Sequence, residues 1–132
     1  MQRILIIDDE WAIQQALRAR LLASGFEVLM ASDGPEGIEA ATIHQPDAIL
    51  LDLRMPDMDG FEVLRRLRAL PECAAIPVVV LTANVQDTVK QQVLSAGAAG
   101  FLTKPYESTA VIEAIRVATG SGSVSPALES KP

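Results

Sequence analysis

Asp8, Asp9, Asp52, Thr82 and Lys104 carry the chemistry this sequence offers, because each ends or follows a short apolar run that has no other use for a charge or a hydroxyl. The plainest case is Ala48-Ile49-Leu50-Leu51, which ends on Asp52 and breaks into Leu53-Arg54-Met55-Pro56-Asp57-Met58-Asp59-Gly60. A carboxylate at the end of a buried strand is costly unless a cation, a proton or a reaction uses it. Three aspartates brought together repel one another, which raises their pKa values unless a cation neutralises them. Carboxylate oxygens with an open coordination shell suit Mg²⁺, which keeps several waters and takes one or two carboxylates with a phosphate oxygen. Mn²⁺ is the natural substitute. Asp52 can then attack phosphorus as a nucleophile, Lys104 can balance charge on the phosphoryl oxygens, and the Thr82 hydroxyl can donate to one of them.

That chemistry requires elements that deliver all five residues to one place. Ile4-Leu5-Ile6-Ile7 predicts a strand ending at Asp8-Asp9, and residues 10–24 predict a helix with Ile13, Ala16, Leu17 and Leu21 inward and Gly25 as its stop. A second strand spans residues 26–31, and Asp33, Pro35 and Glu36 announce a helix running to His44. After the Asp52 strand, residues 60–70 predict a helix with Phe61, Leu64 and Leu67 inward and Arg65, Arg66 and Arg68 on a solvated face. Pro77-Val78-Val79-Val80-Leu81 is a strand ending at Thr82. Residues 84–96 are the next helix, with Val89, Val93 and Leu94 inward and Gly97 as its stop. Residues 100–103 form a last strand before Lys104-Pro105, and residues 107–119 a closing helix with Val111, Ile112 and Ile115 inward. The Ser-, Gly- and Pro-rich residues 120–132 read as a flexible tail or linker, leaving residues 1–119 as one domain.

Five strands alternating with five helices predict an α/β fold with a five-stranded parallel sheet and helices on both faces, and the five-stranded class it fits is the flavodoxin-like three-layer (βα)5 sandwich, whose strand order is 2-1-3-4-5. Ligands of such sheets sit at the carboxyl ends of the strands, where all five residues fall.

Bulk properties narrow the partners. The net charge of -6 argues against a nucleic-acid surface, so no direct nucleic-acid binding is expected. Cys73 is the only cysteine, which excludes an intramolecular disulfide and predicts a reducing, cytoplasmic setting. No run approaches the ~20 apolar residues of a membrane span. Asp57-Met58-Asp59-Gly60 has the centre of a calcium loop, but Met55 and Arg66 stand where carboxylates are required, so it reads as the turn starting the next helix. His44 has no paired ligand, Cys73 reads as a packing residue, and Trp11 fits either the core or the rim of the site.

The ordered set Asp8-Asp9, Asp52, Thr82 and Lys104-Pro105, with the loop from Met55 to Gly60, resembles the receiver domain of two-component response regulators over about residues 3 to 119. The resemblance implies that Asp52 accepts a phosphoryl group from a histidine kinase or a phosphotransfer protein. It also implies that Asp9, Asp52 and the Arg54 backbone carbonyl ligate Mg²⁺, that Asp8 acts through water, and that the Lys104–Pro105 bond is cis. Thr82 and Phe101 would form the switch; Phe101 lacks a hydroxyl, so its signal must come from burial and repacking. The output would pass through the face of residues 84–119 to a protein target or a missing output domain, from a monomer or a phosphorylation-dependent dimer. Such a chain is a signalling switch, not a turnover enzyme. Two rivals are an aspartate-nucleophile phosphatase, which needs an acid where Arg54 stands, and a receiver-like binding module that works without phosphorylation.

Overall fold

A computed structural model describes residues 2–55, 58–83 and 86–120. The chain alternates through β1 (Arg3–Ile7), α1 (Trp11–Ala23), β2 (Glu27–Ala31), α2 (Gly34–His44), β3 (Ala48–Asp52), α3 (Gly60–Ala69), β4 (Val78–Thr82), α4 (Asp87–Ser95), β5 (Gly100–Thr103) and α5 (Ser108–Thr119). The strands form one sheet in the expected order β2-β1-β3-β4-β5, each neighbouring pair parallel. Ile7 lies opposite Leu51, Asp52 opposite Leu81 and Thr82 opposite Thr103, so the strands end along one edge.

The period-two alternation of the strands divides the core into two layers. Leu5, Ile7, Ile49, Leu51, Val78 and Val80 point to one face, which Ala41, Val63, Leu64, Leu67 and Val93 of α2, α3 and α4 cover. Ile4, Ile6, Leu50, Val79 and Leu81 point to the other, covered by Leu17, Leu21, Val111, Ile112 and Ile115 of α1 and α5. Ile49, Leu50 and Leu51 are fully buried. At about 1.5–3 kcal/mol each, their burial outweighs the few kcal/mol that placing Asp52 at the strand's end costs.

Side-chain caps start the two helices that frame β3. Asp33 accepts a hydrogen bond from the Glu36 amide at 2.8 Å, and the Glu36 carboxylate accepts one from the Ser32 amide. Asp59 accepts from the Glu62 amide at 3.0 Å, so the end of the former calcium-loop candidate is the cap of α3, with Pro56 and Asp57 outside the described residues. A Cβ on Gly60 would stand 2.6 Å from the Leu53 Cα and 2.9 Å from the Asp52 carbonyl, so only glycine lets α3 begin this close to the end of β3.

Several inward assignments need correction. In α1 the buried stripe is Gln14, Leu17 and Leu21, with Ile13 half-buried and Ala16 exposed. A polar side chain took the place that periodicity assigns to an apolar one. In α4, Val93 is buried but Leu94 is 44% exposed, because α4 packs along a narrow stripe. That helix begins at Asp87 because Gln86 keeps extended backbone (φ −69°, ψ 139°); Asn84 and Val85 lie outside the described residues. Arg65 and Arg66 are exposed and pair with Glu62, but Arg68 is not a solvated charge. Its guanidinium donates to the carbonyls of Cys73, Ala74 and Ile76 in the loop before β4. Cys73 itself is fully buried, His44 is exposed, and residues 121–132 of the tail lie outside the described residues.

Candidate functional site

The parallel strands bring their acidic ends to one edge. Asp8 follows β1 and is 1% exposed; Asp52 closes β3 and is 3% exposed. Gln14 explains how β1 ends there, because its amide donates to the carbonyls of Asp8 (2.7 Å) and Ala31 (2.5 Å) and ties the ends of β1 and β2 together. One carboxylate oxygen of Asp8 accepts from the Glu10 amide at 2.9 Å, while its other oxygen, Oδ2, is buried and accepts no hydrogen bond. Asp52 Oδ1 accepts from the Arg54 amide at 3.1 Å and Oδ2 from the Lys104 ammonium at 3.3 Å.

Lys104 is held by backbone as well as charge. Its amide donates to the Thr82 carbonyl at 2.7 Å, and the Lys104–Pro105 peptide is cis. The ammonium stands 3.3 Å from Asp52, 3.7 Å from Glu10 and 3.8 Å from Asp8. One oxygen from each of Asp8, Glu10 and Asp52 lies within 4.8 Å of the others, the one grouping of this kind among the described residues. Glu10 is thus a site residue that the sequence reading took only for the start of a helix. The acidic run Asp8-Asp9-Glu10 is the signal the sequence offers for it.

Burial dominates the electrostatics. It pushes the Asp8 carboxyl up to about 6, with the Asp52 and Glu10 carboxylates adding to the rise and the Glu10 amide and Lys104 opposing it. Tyr106, two residues past Lys104, is pushed up to about 12 by burial and then by the Asp8, Asp52 and Glu10 carboxylates, so it is a neutral neighbour of the cluster. The donor set fits a hard divalent cation: three clustered carboxylates, a buried oxygen without a hydrogen-bond donor, and one lysine against them.

A cleft of about 300 Å³ opens on this cluster, lined by Asp9, Glu10, Asp52, Arg54, Ala83 and Lys104. Asp9 therefore faces the cleft although it lies outside the close trio, and it is exposed. Thr82 is 1% exposed and lines an adjoining cavity with Leu53, Arg54, Phe61, Ala83 and Val89. Phe101 is half-buried and packs against the core layer under α2, α3 and α4. Trp11 is 70% exposed beside Glu10, which places it outside the core. No helix among the described residues is long and apolar enough to cross a membrane.

The chain matches the response regulator receiver domain family over residues 4–116. It is 39% identical over 129 residues to the transcriptional regulatory protein KdpE of Mycobacterium tuberculosis, covering 98% of this chain and 56% of that protein. It therefore spans little more than half of that relative's length. Among solved structures it is similar to the chemotaxis protein CheY4 of Vibrio cholerae, with 30% identity and a TM-score of 0.85 over 89% of this chain and 98% of that one. It is also similar to the receiver domain of sensor histidine kinase PA1611 from Pseudomonas aeruginosa, solved with a magnesium ion coordinated in its active site cleft. There the identity is 31% and the TM-score 0.83, over 91% of this chain and 98% of that one.

Proposed function

The chain belongs to the response regulator receiver family, a class of signalling switch modules that work with histidine kinases, and on that premise we propose that Asp52 is its phosphoacceptor. The observation that carries this reading is the Asp52 carboxylate, buried at a strand end yet facing an open cleft, with Lys104 at 3.3 Å and two further carboxylates beside it. A purely structural aspartate needs neither the cleft nor the crowding of like charge.

In the proposed transfer an Asp52 oxygen forms a bond to phosphorus while the phosphorus–nitrogen bond of a donor phosphohistidine breaks, and the electron pair leaves with the imidazole. Lys104 holds negative charge on the phosphoryl oxygens, and the Arg54 amide holds Asp52 Oδ1 so that the carboxylate is oriented before the donor arrives. Asp9, Asp52 and the Arg54 carbonyl, with Asp8 acting through water, are the residues that would hold Mg²⁺, or Mn²⁺ in its place; Asp8 and Asp52 lie in the close carboxylate trio with Glu10, and Asp9 faces the cleft outside it. When bound, the cation supplies positive charge against both the carboxylates and the phosphoryl oxygens. Magnesium coordinated in the active site cleft of the PA1611 receiver supports a cation in this cleft.

Thr82 and Phe101 are proposed as the switch. Thr82 sits at the end of β4 opposite Thr103, and Phe101 lies opposite Val80 on β5, so a shift of the Thr82 hydroxyl toward a phosphoryl group opens space in the layer that Phe101 packs against. The change is a population shift of the face formed by residues 84–119, which would contact a protein target or an output domain. Residues 1–119 are the proposed switch unit and residues 120–132 its tail or linker. Incubation with radiolabelled acetyl phosphate and Mg²⁺ tests the reading: label on the wild type and none on Asp52→Asn is expected, and a wild type without label overturns it.

A further inference from the structure

Lys104 has two kinds of carboxylate partner. Asp52 and Asp8 are buried, whereas the Glu10 side chain is 60% exposed and reaches the same ammonium at 3.7 Å from the rim. Glu10 makes no side-chain cap to α1, so the helix start does not need its carboxylate; its backbone amide already serves Asp8. That carboxylate stands instead beside those of Asp8 and Asp52, against the ammonium and at the mouth of the cleft, where Asp9, Glu10 and Asp52 face Lys104 and Arg54.

Resting on the phosphoacceptor reading above, we infer that Glu10 is a positioning residue that competes from the rim for the Lys104 ammonium held by Asp52 and makes the mouth unfavourable to small, free phosphoryl donors carrying two negative charges. A donor phosphohistidine on a protein surface is steered by that surface and is less dependent on the charge at the mouth. With an acyl phosphate, the Asp52 oxygen–phosphorus bond forms, the phosphorus–oxygen bond to the acyl group breaks, and the acyl carboxylate departs with the electron pair; no proton is required. Glu10 touches neither reacting atom. It acts through Lys104 and through its own charge.

Glu10→Gln keeps the size and removes the charge. At saturating Mg²⁺ and low salt, labelling by acetyl phosphate should quicken about two- to fivefold, the range of an exposed ion pair. Phosphoramidate, carrying one negative charge less, should gain less, and Glu10→Lys should go further in the same direction. In molar salt, where screening acts over about 3 Å, the gain should disappear. Glu39→Gln, an exposed change on α2, should leave every rate at the wild-type value. Equal or slower labelling of Glu10→Gln, or a gain that survives molar salt, overturns the inference.

A second readout does not depend on phosphorylation. In the unmodified protein, nitrogen-15 NMR of the Lys104 ammonium should show faster proton exchange in Glu10→Gln than in the wild type, and an unchanged signal overturns the tether. Failure of both chains to take label, with the ammonium signal altered, removes the phosphoacceptor reading and leaves the tether standing.

Discussion

Two charged side chains of this molecule, Arg68 half-buried and Asp8 buried, meet different fates. Arg68 is enclosed by neutral acceptors, donating to three carbonyls of the loop before β4, and burial lowers its pKa without leaving its terminal nitrogens unmet. Asp8 is enclosed by other carboxylates, keeps one oxygen without a hydrogen bond, and is pushed up to about 6. The first arrangement holds a loop through both terminal nitrogens, although its Nε lies buried without an acceptor. The second already has the Lys104 ammonium 3.8 Å away, yet it keeps three carboxylates crowded together and one oxygen without a hydrogen bond, a strain that further positive charge would relieve.

Removing the clamp should have the largest effect on stability. Arg68→Ala should lose about 3 to 4 kcal/mol, the order of two charge-assisted hydrogen bonds, read as a fall in the denaturant midpoint. Arg68→Lys should recover only part of that loss, because a single compact ammonium does not span the three carbonyls that the two terminal nitrogens of the planar guanidinium reach. A change below about 1 kcal/mol would place Arg68 among ordinary surface charges.

Asp8 should behave in the opposite sense. Its folded-state pKa is raised above the ordinary value, so its contribution favours the fold below about pH 4 and is lost as the pH rises through about 6. In metal-free protein Asp8→Asn should therefore equal the wild type near pH 4 and exceed it by up to about 3 kcal/mol above pH 7. A wild type that stays more stable than Asp8→Asn at pH 7 without divalent cation would reverse the comparison.

Divalent cation should reduce that difference. Mg²⁺ at about one hundred times its dissociation constant should stabilise the wild type by about 2.7 kcal/mol, with a smaller gain for Asp8→Asn and none beyond the wild-type gain for Arg68→Lys. Thermal midpoints with and without EDTA read this directly. The smallest effect is expected at Gly97, whose φ is +106° and whose Cβ would stand 3.1 Å from the Arg68 side chain. Gly97→Ala should cost about 1 to 2 kcal/mol and leave the Mg²⁺ gain unchanged, since it disturbs the clamp alone.

The contrast also explains what the sequence could reveal. Asp8, Asp9, Asp52, Thr82 and Lys104 were legible because each punctuates a run of apolar residues, and parallel strands carry such ends to one edge whatever the details of packing. The parallel sheet and, α4's start apart, the approximate helix spans followed from the same alternation, whereas the strand order was that of the five-stranded class the chain fits. Gln14, Arg68 and Glu10 were not legible for a common reason: their roles depend on which distant backbone or side chain comes within reach. Gln14 occupies an apolar stripe yet closes β1 onto β2, and Arg68 leaves a charged face to cap a loop. Glu10, read as a helix start, closes the carboxylate trio. Ala16 and Leu94 show the remaining limit, since helical period locates a stripe but not its width.

The central claim is that the acidic edge exists to receive a phosphoryl group on Asp52. Treating the protein with acetyl phosphate, reducing the acyl phosphate with borohydride and mapping the altered residue by mass spectrometry tests it most directly. The account predicts modification at Asp52 alone, dependent on Mg²⁺ and abolished by EDTA. Modification at another residue, or at Asp52 with equal yield in EDTA, would contradict it.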